Sequence, residues 1–339
     1  MRFIIIIWRN SLKLYEIKNN YSICLLCPNS CQLSQKKTVG LCGIRKFSEV
    51  DHSIINPYSG IISAMSVDPI EKKPLYHFMP GSSVFSIGFY GCTLKCQFCQ
   101  NYTISQTTPP HDSKRYSPEE IVNILIANQY PSIAFTYSEP LVYFEWVLET
   151  AKLCKANGIK TILVTNGFIN KEPGSLLLNY IDAVNIDLKS FKNSFYTTYL
   201  EGSLESVKQF ISTSIEKKVH TEITTLIIPG LNDSKEEIIQ ISEFIQSFSP
   251  LIPLHISSYH PSWKMSIRAT NPDEIIKLSR LCEEKLAFVY PGNINTMTKT
   301  LCFHCKTLLI ERSGYQTKLY NINKDGTCKK CGGFNYIKM

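Results

Sequence analysis

Between about Ser83 and Pro291 the chain alternates short apolar or β-branched runs with longer segments of helical periodicity. The strand-like runs are Val84–Tyr90, Ile133–Tyr137, Thr161–Thr165, Ala183–Leu188, Thr221–Ile228 and Leu254–Tyr259, each bounded by Gly, Pro or polar residues. Helix starts are marked between them. Ser117-Pro-Glu-Glu120 offers an N-cap, a proline for the first helical position and acids for the first turn. Ser234 and Asn271-Pro272 open two more helices, and after Ser234 the residues Ile238, Ile241, Ile245 and Phe248 fall on one face. Repeated β-then-α units predict an α/β fold with parallel strands and helices outside, as a doubly wound sheet or a full or partial barrel. Either architecture gathers ligands at the C-terminal ends of its strands.

The flanks are different. The only early apolar run, Phe3 to Trp8, is far shorter than the roughly 20 residues that span a bilayer, and no small-residue cleavage site follows it. Residues 1–19 read as a leader or a first strand, with no membrane span and a cytoplasmic location expected. The three expected regions are an N-terminal Cys-rich module and linker over 1–82, a core barrel over 83–298 and a C-terminal module over 299–339.

Thirteen cysteines in 339 residues would suggest disulfides in an exported protein. Without an export signal, grouped cysteines read as metal ligands. Cys24, Cys27, Cys31 and Cys42 form one group, Cys92, Cys96 and Cys99 a second, and Cys302, Cys305, Cys328 and Cys331 a third. Cys154 and Cys282 stand apart in helix-like stretches and read as small buried hydrophobes. The net charge of +8 is uneven, because residues 299–339 carry eight basic side chains against Glu311 and Asp325. That tail is expected to present a solvated face or to meet an acidic or nucleic-acid partner.

The central group carries the most specific chemistry. Gly91-Cys-Thr-Leu-Lys-Cys-Gln-Phe-Cys-Gln-Asn101 follows the first strand of the series and holds Cys-x3-Cys-x2-Cys. Three thiolates leave one iron of a [4Fe–4S] cubane without a protein ligand, and an open iron can chelate a cofactor. This spacing, with aromatic Phe98 before the third cysteine, resembles the radical S-adenosylmethionine (SAM) superfamily. The resemblance implies a partial (β/α)6 barrel, a [4Fe–4S] cluster on Cys92, Cys96 and Cys99, and reductive cleavage of SAM. It continues at the following strand ends. Tyr137-Ser-Glu-Pro140 looks like the superfamily's Gly-Gly-Glu element, with Ser138 replacing the second glycine, and implies that Glu139 binds the SAM amino group. Thr165-Asn166-Gly167 and Asp187-Leu188-Lys189 look like loops of pyruvate formate-lyase activating enzyme that meet the SAM carboxylate. Val164 stands where that enzyme has an aspartate. His260, in Tyr259-His-Pro261, is by similarity a SAM contact, whereas His255 reads as structural.

A narrower resemblance rests on Asp68-Pro-Ile-Glu-Lys-Lys-Pro-Leu-Tyr-His-Phe78 and on Cys24-Leu-Leu-Cys-Pro28. These are similar to the AmmeMemoRadiSam system radical SAM enzymes, over about Ser22 to Gly333. Lys72, Lys73 and His77 then become either substrate contacts or part of a packing segment. The implied partners are SAM, an electron donor such as flavodoxin or ferredoxin, and a protein substrate, with glycyl-radical activation first and RNA modification as the alternative. A non-catalytic metal-binding adaptor is disfavoured by the open iron. Cys302-x2-Cys305 and Cys328-x2-Cys331, separated by 22 residues, read as a zinc ribbon, with a rubredoxin-like iron site or a second iron–sulfur cluster as the rival. The N-terminal four could hold zinc or an auxiliary cluster.

Overall fold

Ser117 opens its helix as the sequence requires. Its side chain accepts a hydrogen bond from the Glu120 amide while Glu120 reaches back to the Ser117 amide, and Pro118 occupies the first turn. Asn271 and Ser234 also cap their helices through side-chain oxygens. A computed structural model describes residues 12–339, so the run Phe3–Trp8 lies outside the described residues.

Eight strands form the central sheet: β1 (Ala64–Pro69), β2 (Ser83–Gly88), β3 (Ser132–Thr136), β4 (Lys160–Thr165), β5 (Ala183–Asp187), β6 (His220–Ile227), β7 (Leu254–Ser258) and β8 (Val289–Gly292). Their spatial order is their sequence order. β1 runs antiparallel to β2, and every later neighbour is parallel. Helices α1 (Pro118–Ala127), α2 (Phe144–Ala156), α3 (Lys171–Leu178), α4 (Leu204–Glu216), α5 (Lys235–Gln246) and α6 (Pro272–Glu283) fill the connections between the parallel strands. A doubly wound sheet reverses its strand order part-way. Here the order never reverses, so the right-handed crossovers place the helices on one face and the sheet curls into a barrel. Among the described residues β8 and β1 do not pair and no strand lies between them, so the barrel they form is open on that side.

All six sequence-read strands are present, and two more join them. β8 carries Pro291 in a four-residue strand, which its edge position tolerates because no further neighbour needs that N–H. β1 lies on the opposite edge, half exposed, which blurs its alternation.

The segment after β1 runs inside the barrel. Ile70, Leu75 and Phe78 pack against Val84, Ala134, Ile162 and Ala183, the inward residues of β2 to β5. This segment closes the base of the barrel and answers the question left at His77. Its ring is fully buried between the Asn335 carbonyl (3.1 Å) and the Tyr290 hydroxyl (2.6 Å), so it packs rather than meeting substrate. Cys154 and Cys282 are buried in the core, as small hydrophobes.

Short antiparallel pairs, Tyr15–Ile17 with Ser22–Cys24 and Ser22–Cys24 with Gln32–Leu33, hold the N-terminal cysteines. At the other end β9 (Met297–Leu301), β10 (Leu308–Ser313) and β11 (Gln316–Leu319) form an antiparallel meander that carries the last four cysteines. The tail then returns to the barrel base: the Met79 amide donates to the Lys338 carbonyl (2.6 Å) and the Thr221 amide to the Tyr336 hydroxyl (3.2 Å).

Candidate active site

A cavity of about 550 Å³ opens at the C-terminal ends of the parallel strands. Its wall contains Cys92, Cys96, Phe98, Cys99, Ser138, Glu139, Thr165, Asn166, Asp187 and Lys189, drawn from four successive strand ends. These residues are up to 97 positions apart in the chain, and the parallel topology alone brings them together.

The cysteine loop begins at Gly91, which has a φ of 75°. A side chain there would meet Ile44 at 2.4 Å and the Cys42 carbonyl at 2.5 Å, so glycine is required. The loop then turns all three thiols to one cavity. The Leu94 amide and the Asn166 amide nitrogen Nδ2 each lie 3.4 Å from the Cys92 sulfur, and the Ser105 hydroxyl is 3.1 Å from that of Cys99. Burial pushes the Cys92 thiol well up and that of Cys96 to about 12. A cationic metal centre would compensate that burial and let the thiolates form. Three convergent thiols, with donors around them and space in front, fit a cluster with one open iron. Phe98 is buried against Phe195 and stiffens the loop.

Glu139 is held by neutral donors alone. Its carboxylate accepts from the Leu141 amide (3.1 Å), the Thr165 hydroxyl (2.7 Å) and the Asn166 amide (2.9 Å). Burial wins over these bonds and pushes its carboxyl up to about 7. Across the cavity Lys189 pairs with Asp187 at 2.8 Å. Burial would lower the Lys189 ammonium, but the Asp187 carboxylate outweighs it and raises it. Ser138, in the cavity wall, donates its hydroxyl to the Phe89 carbonyl (2.9 Å) and so ties the strand end.

His260 stands apart from these residues. It is exposed on the rim, 3.2 Å from the Gln100 side chain, and does not line the cavity. The sequence reading missed Tyr137 as a wall residue. Tyr137 has a φ of 69°, and its hydroxyl donates to Asp68, whose carboxylate also binds Lys73 (2.6 Å) and Lys72 (2.9 Å). These bonds outweigh burial and hold the Asp68 carboxyl far below its usual range. The signal available was an aromatic residue directly before Ser-Glu-Pro at a strand end.

The Radical SAM superfamily model matches residues 86–244, which span the cysteine loop and the strand ends that follow it. Over 331 residues the chain is 34% identical to the protein MJ0808 of Methanocaldococcus jannaschii, covering 96% of this chain and 98% of that one. The chain belongs to the radical SAM superfamily. With membership come a [4Fe–4S] cluster, SAM and the general radical SAM reaction. Pyruvate formate-lyase 1-activating enzyme of Escherichia coli K12 is 23% identical over 180 residues, covering 51% of this chain and 72% of that enzyme. The crystal structure of Streptococcus suis SuiB bound to S-adenosylmethionine aligns with a TM-score of 0.49 at 17% identity, covering 66% of this chain and 52% of that chain.

The final cysteine group also converges. The sulfurs of Cys302, Cys305, Cys328 and Cys331 all lie within 4.8 Å of one another, an arrangement that could hold a metal ion. Among the described residues, no helix is long and apolar enough to cross a membrane.

Proposed function

We propose that this radical SAM enzyme abstracts hydrogen from a backbone position of a protein or peptide, with a glycine of a partner protein as the first substrate class. The observation that carries this reading is the open side of the barrel. A second cavity of about 290 Å³, bounded by β8, the segment after β1 and the hairpin at Gly314-Tyr315, shares Lys72, Pro74, Ser257 and Asn293 with the central one. An extended strand could enter there and reach the cysteine loop, as a compact small molecule would not need to. The likeness to enzymes named for activating pyruvate formate-lyase supports the same class. The narrower likeness to the AmmeMemoRadiSam group rests on residues 68–78 and on Cys24 to Pro28, and of the former Glu71, Lys72, Pro74 and Tyr76 line the second cavity.

When bound, the cluster supplies the electron that cleaves SAM to methionine and a 5′-deoxyadenosyl radical. The chain's own residues position and shield that event. Cys92, Cys96 and Cys99 hold the cluster. Glu139 would receive the SAM ammonium, which would lower its carboxyl from about 7 and restore its charge. Asn166, Thr165 and Lys189 would meet the SAM carboxylate, with Lys189 as the cation that Asp187 holds at 2.8 Å, and the closed barrel base would keep water from the radical. His260 sits on the rim beside Gln100, which lines the cavity, and is the outermost of the candidate SAM contacts. A flavodoxin- or ferredoxin-like donor supplies the electron, the setting is cytoplasmic, and zinc fills the ribbon. The RNA alternative leaned on the basic tail, and it weakens because Arg312 is buried in the barrel base rather than facing a phosphate.

The test is anaerobic. Cys96→Ala should lose the central cluster's iron and all SAM cleavage, and a variant that keeps both would remove the central claim. Incubating the dithionite-reduced wild type and SAM with glycine-containing peptides should give 5′-deoxyadenosine carrying deuterium from α-deuterated glycine. Absence of transfer to any peptide, with SAM cleavage intact, would move the substrate to another class.

A further inference from the structure

The chain has two four-cysteine sets, and they have different shapes. In the ribbon, the Cys302 and Cys331 sulfurs are 3.6 Å apart and those of Cys305 and Cys328 3.7 Å. Tetrahedral zinc with Zn–S bonds of about 2.3 Å places its sulfurs roughly 3.8 Å apart, so the ribbon is sized for one ion. Cys24, Cys27, Cys31 and Cys42 instead stand around one enclosed cavity, with Leu26 and Val142 in its wall, and do not draw together as the ribbon thiols do. A cubane holds its thiolates at four separate corners, farther apart than one ion can.

The surroundings of this cavity suit a polynuclear sulfide. Two of the thiols accept from backbone N–H groups, Cys31 from Leu41 and Cys42 from Arg45, both at 3.4 Å. Gly40 forms part of the wall, where a Cβ would come 3.6 Å from the Cys31 sulfur. Arg45 also lines the cavity and is 2% exposed. Its terminal nitrogens are both taken by Glu145 at 2.7 Å, yet its buried Nε–H has no acceptor among the described residues. A buried donor of that kind calls for a partner, and a cluster sulfide or cysteine sulfur in the cavity would supply one.

The cavity also abuts the central cysteine loop. Thr93 lines it, while Cys92, the preceding residue, lines the active-site cavity. The Asn29 side chain donates to the Thr93 carbonyl at 2.9 Å, and Gly91 packs on the Cys42 backbone.

We propose that Cys24, Cys27, Cys31 and Cys42 hold a second [4Fe–4S] cluster that relays single electrons from a low-potential donor protein to the central cluster across Thr93. Four thiolates leave no open iron, so this centre binds no substrate and its role is electron transfer. One electron leaves the donor protein, reduces the second cluster by one, and passes on to the central cluster, which returns the second to its oxidised state. No bond forms and no proton moves. The proposal rests on the radical SAM reading for its electron acceptor.

The test separates the two sites. The triple variant Cys92→Ala, Cys96→Ala, Cys99→Ala, purified anaerobically, should retain about half the wild-type iron and give an electron paramagnetic resonance signal on dithionite reduction. Reduced flavodoxin should bleach that remaining cluster. A triple variant without iron, or one with a second zinc beside that of the ribbon, overturns the site. A cluster that dithionite reduces but the donor protein does not overturns the relay. In Cys27→Ser, SAM cleavage driven by dithionite should persist while cleavage driven by flavodoxin is lost, and equal rates with both reductants would also overturn the relay. If the wild type instead keeps both clusters yet never cleaves SAM, the radical SAM reading fails and the second site stands.

Discussion

Glu139 and Glu222 are both buried carboxylates inside the barrel, one at the mouth and one at the base, and their environments push them in opposite directions. Glu222 accepts from the Tyr76 amide (2.9 Å) and the His77 amide (2.7 Å), and pairs with His220 (3.0 Å) and His255 (2.8 Å). Burial would raise its carboxyl, but the bonds from the two histidines dominate and hold it well below the usual range. Glu139 has three neutral donors and an open cavity in front, and burial lifts it to about 7. The base is closed around its charge, with Arg312 stacked 4.4 Å over the Tyr76 ring and hydrogen-bonded to Thr300 at 2.9 Å. The mouth is short of one cation. A buried carboxylate marks a ligand site when its neighbours leave its charge uncompensated, not merely because it is buried.

The largest expected effect lies at the base. Glu222→Ala leaves two amides and two histidines without their common acceptor, and should cost about 3–5 kcal/mol of folding stability by urea denaturation. If stability is unchanged, the base is not the closed network described here. Glu139→Ala should leave the fold and the cluster in place but weaken SAM binding by about 1.5–3 kcal/mol, measured by calorimetry on the cluster-loaded protein. Equal effects of the two substitutions on stability would erase the contrast between mouth and base.

The pH dependence gives a smaller and more discriminating effect. A carboxyl raised to about 7 contributes stability that is fully present below its unfolded value of about 4.3 and is lost as pH rises through 7. Glu139→Gln should therefore stabilise the cluster-free chain at pH 8 and hardly change it near pH 4. SAM affinity should follow the opposite course in the wild type, improving as pH rises through 7 and Glu139 ionises. Glu139→Gln should flatten that profile, and a profile unaffected by the substitution would take Glu139 out of the SAM site. Glu222 is depressed, so its contribution is present above the unfolded carboxyl value and is lost only in strong acid.

Much of this was legible in the chain. Cys-x3-Cys-x2-Cys, the six main strands and the helix caps are local patterns, set by the two-residue and 3.6-residue side-chain periods and by backbone hydrogen bonding within a few residues. The strand-end rule then placed Glu139, Thr165, Asn166, Asp187 and Lys189 near the cysteines without any coordinates, because parallel β/α units always present those ends to one face. His260 shows where that rule stops. It follows a strand end, but its loop carries it to the rim beside Gln100.

The sequence by itself therefore grouped the cysteines as candidate metal ligands and predicted which face of the barrel the central three share with the other strand ends. The tertiary structure decided which polar groups are already satisfied. Arg312 counts as one more positive charge on a basic tail until the ribbon folds back and buries it against Tyr76 and Tyr290. His77 reads in sequence as either a substrate contact or a packing residue, and the segment after β1 settles it by carrying it down to the barrel base, where Tyr290 and Asn335 occupy both ring nitrogens. Two sets of four cysteines both read as candidate metal ligands in sequence, yet one draws together to the size of a single ion and the other surrounds a cavity. Spacing fixes only how far apart two residues can be along the chain. The distance between sulfurs, and the number of donors left around a buried charge, depend on contacts between segments far apart in sequence.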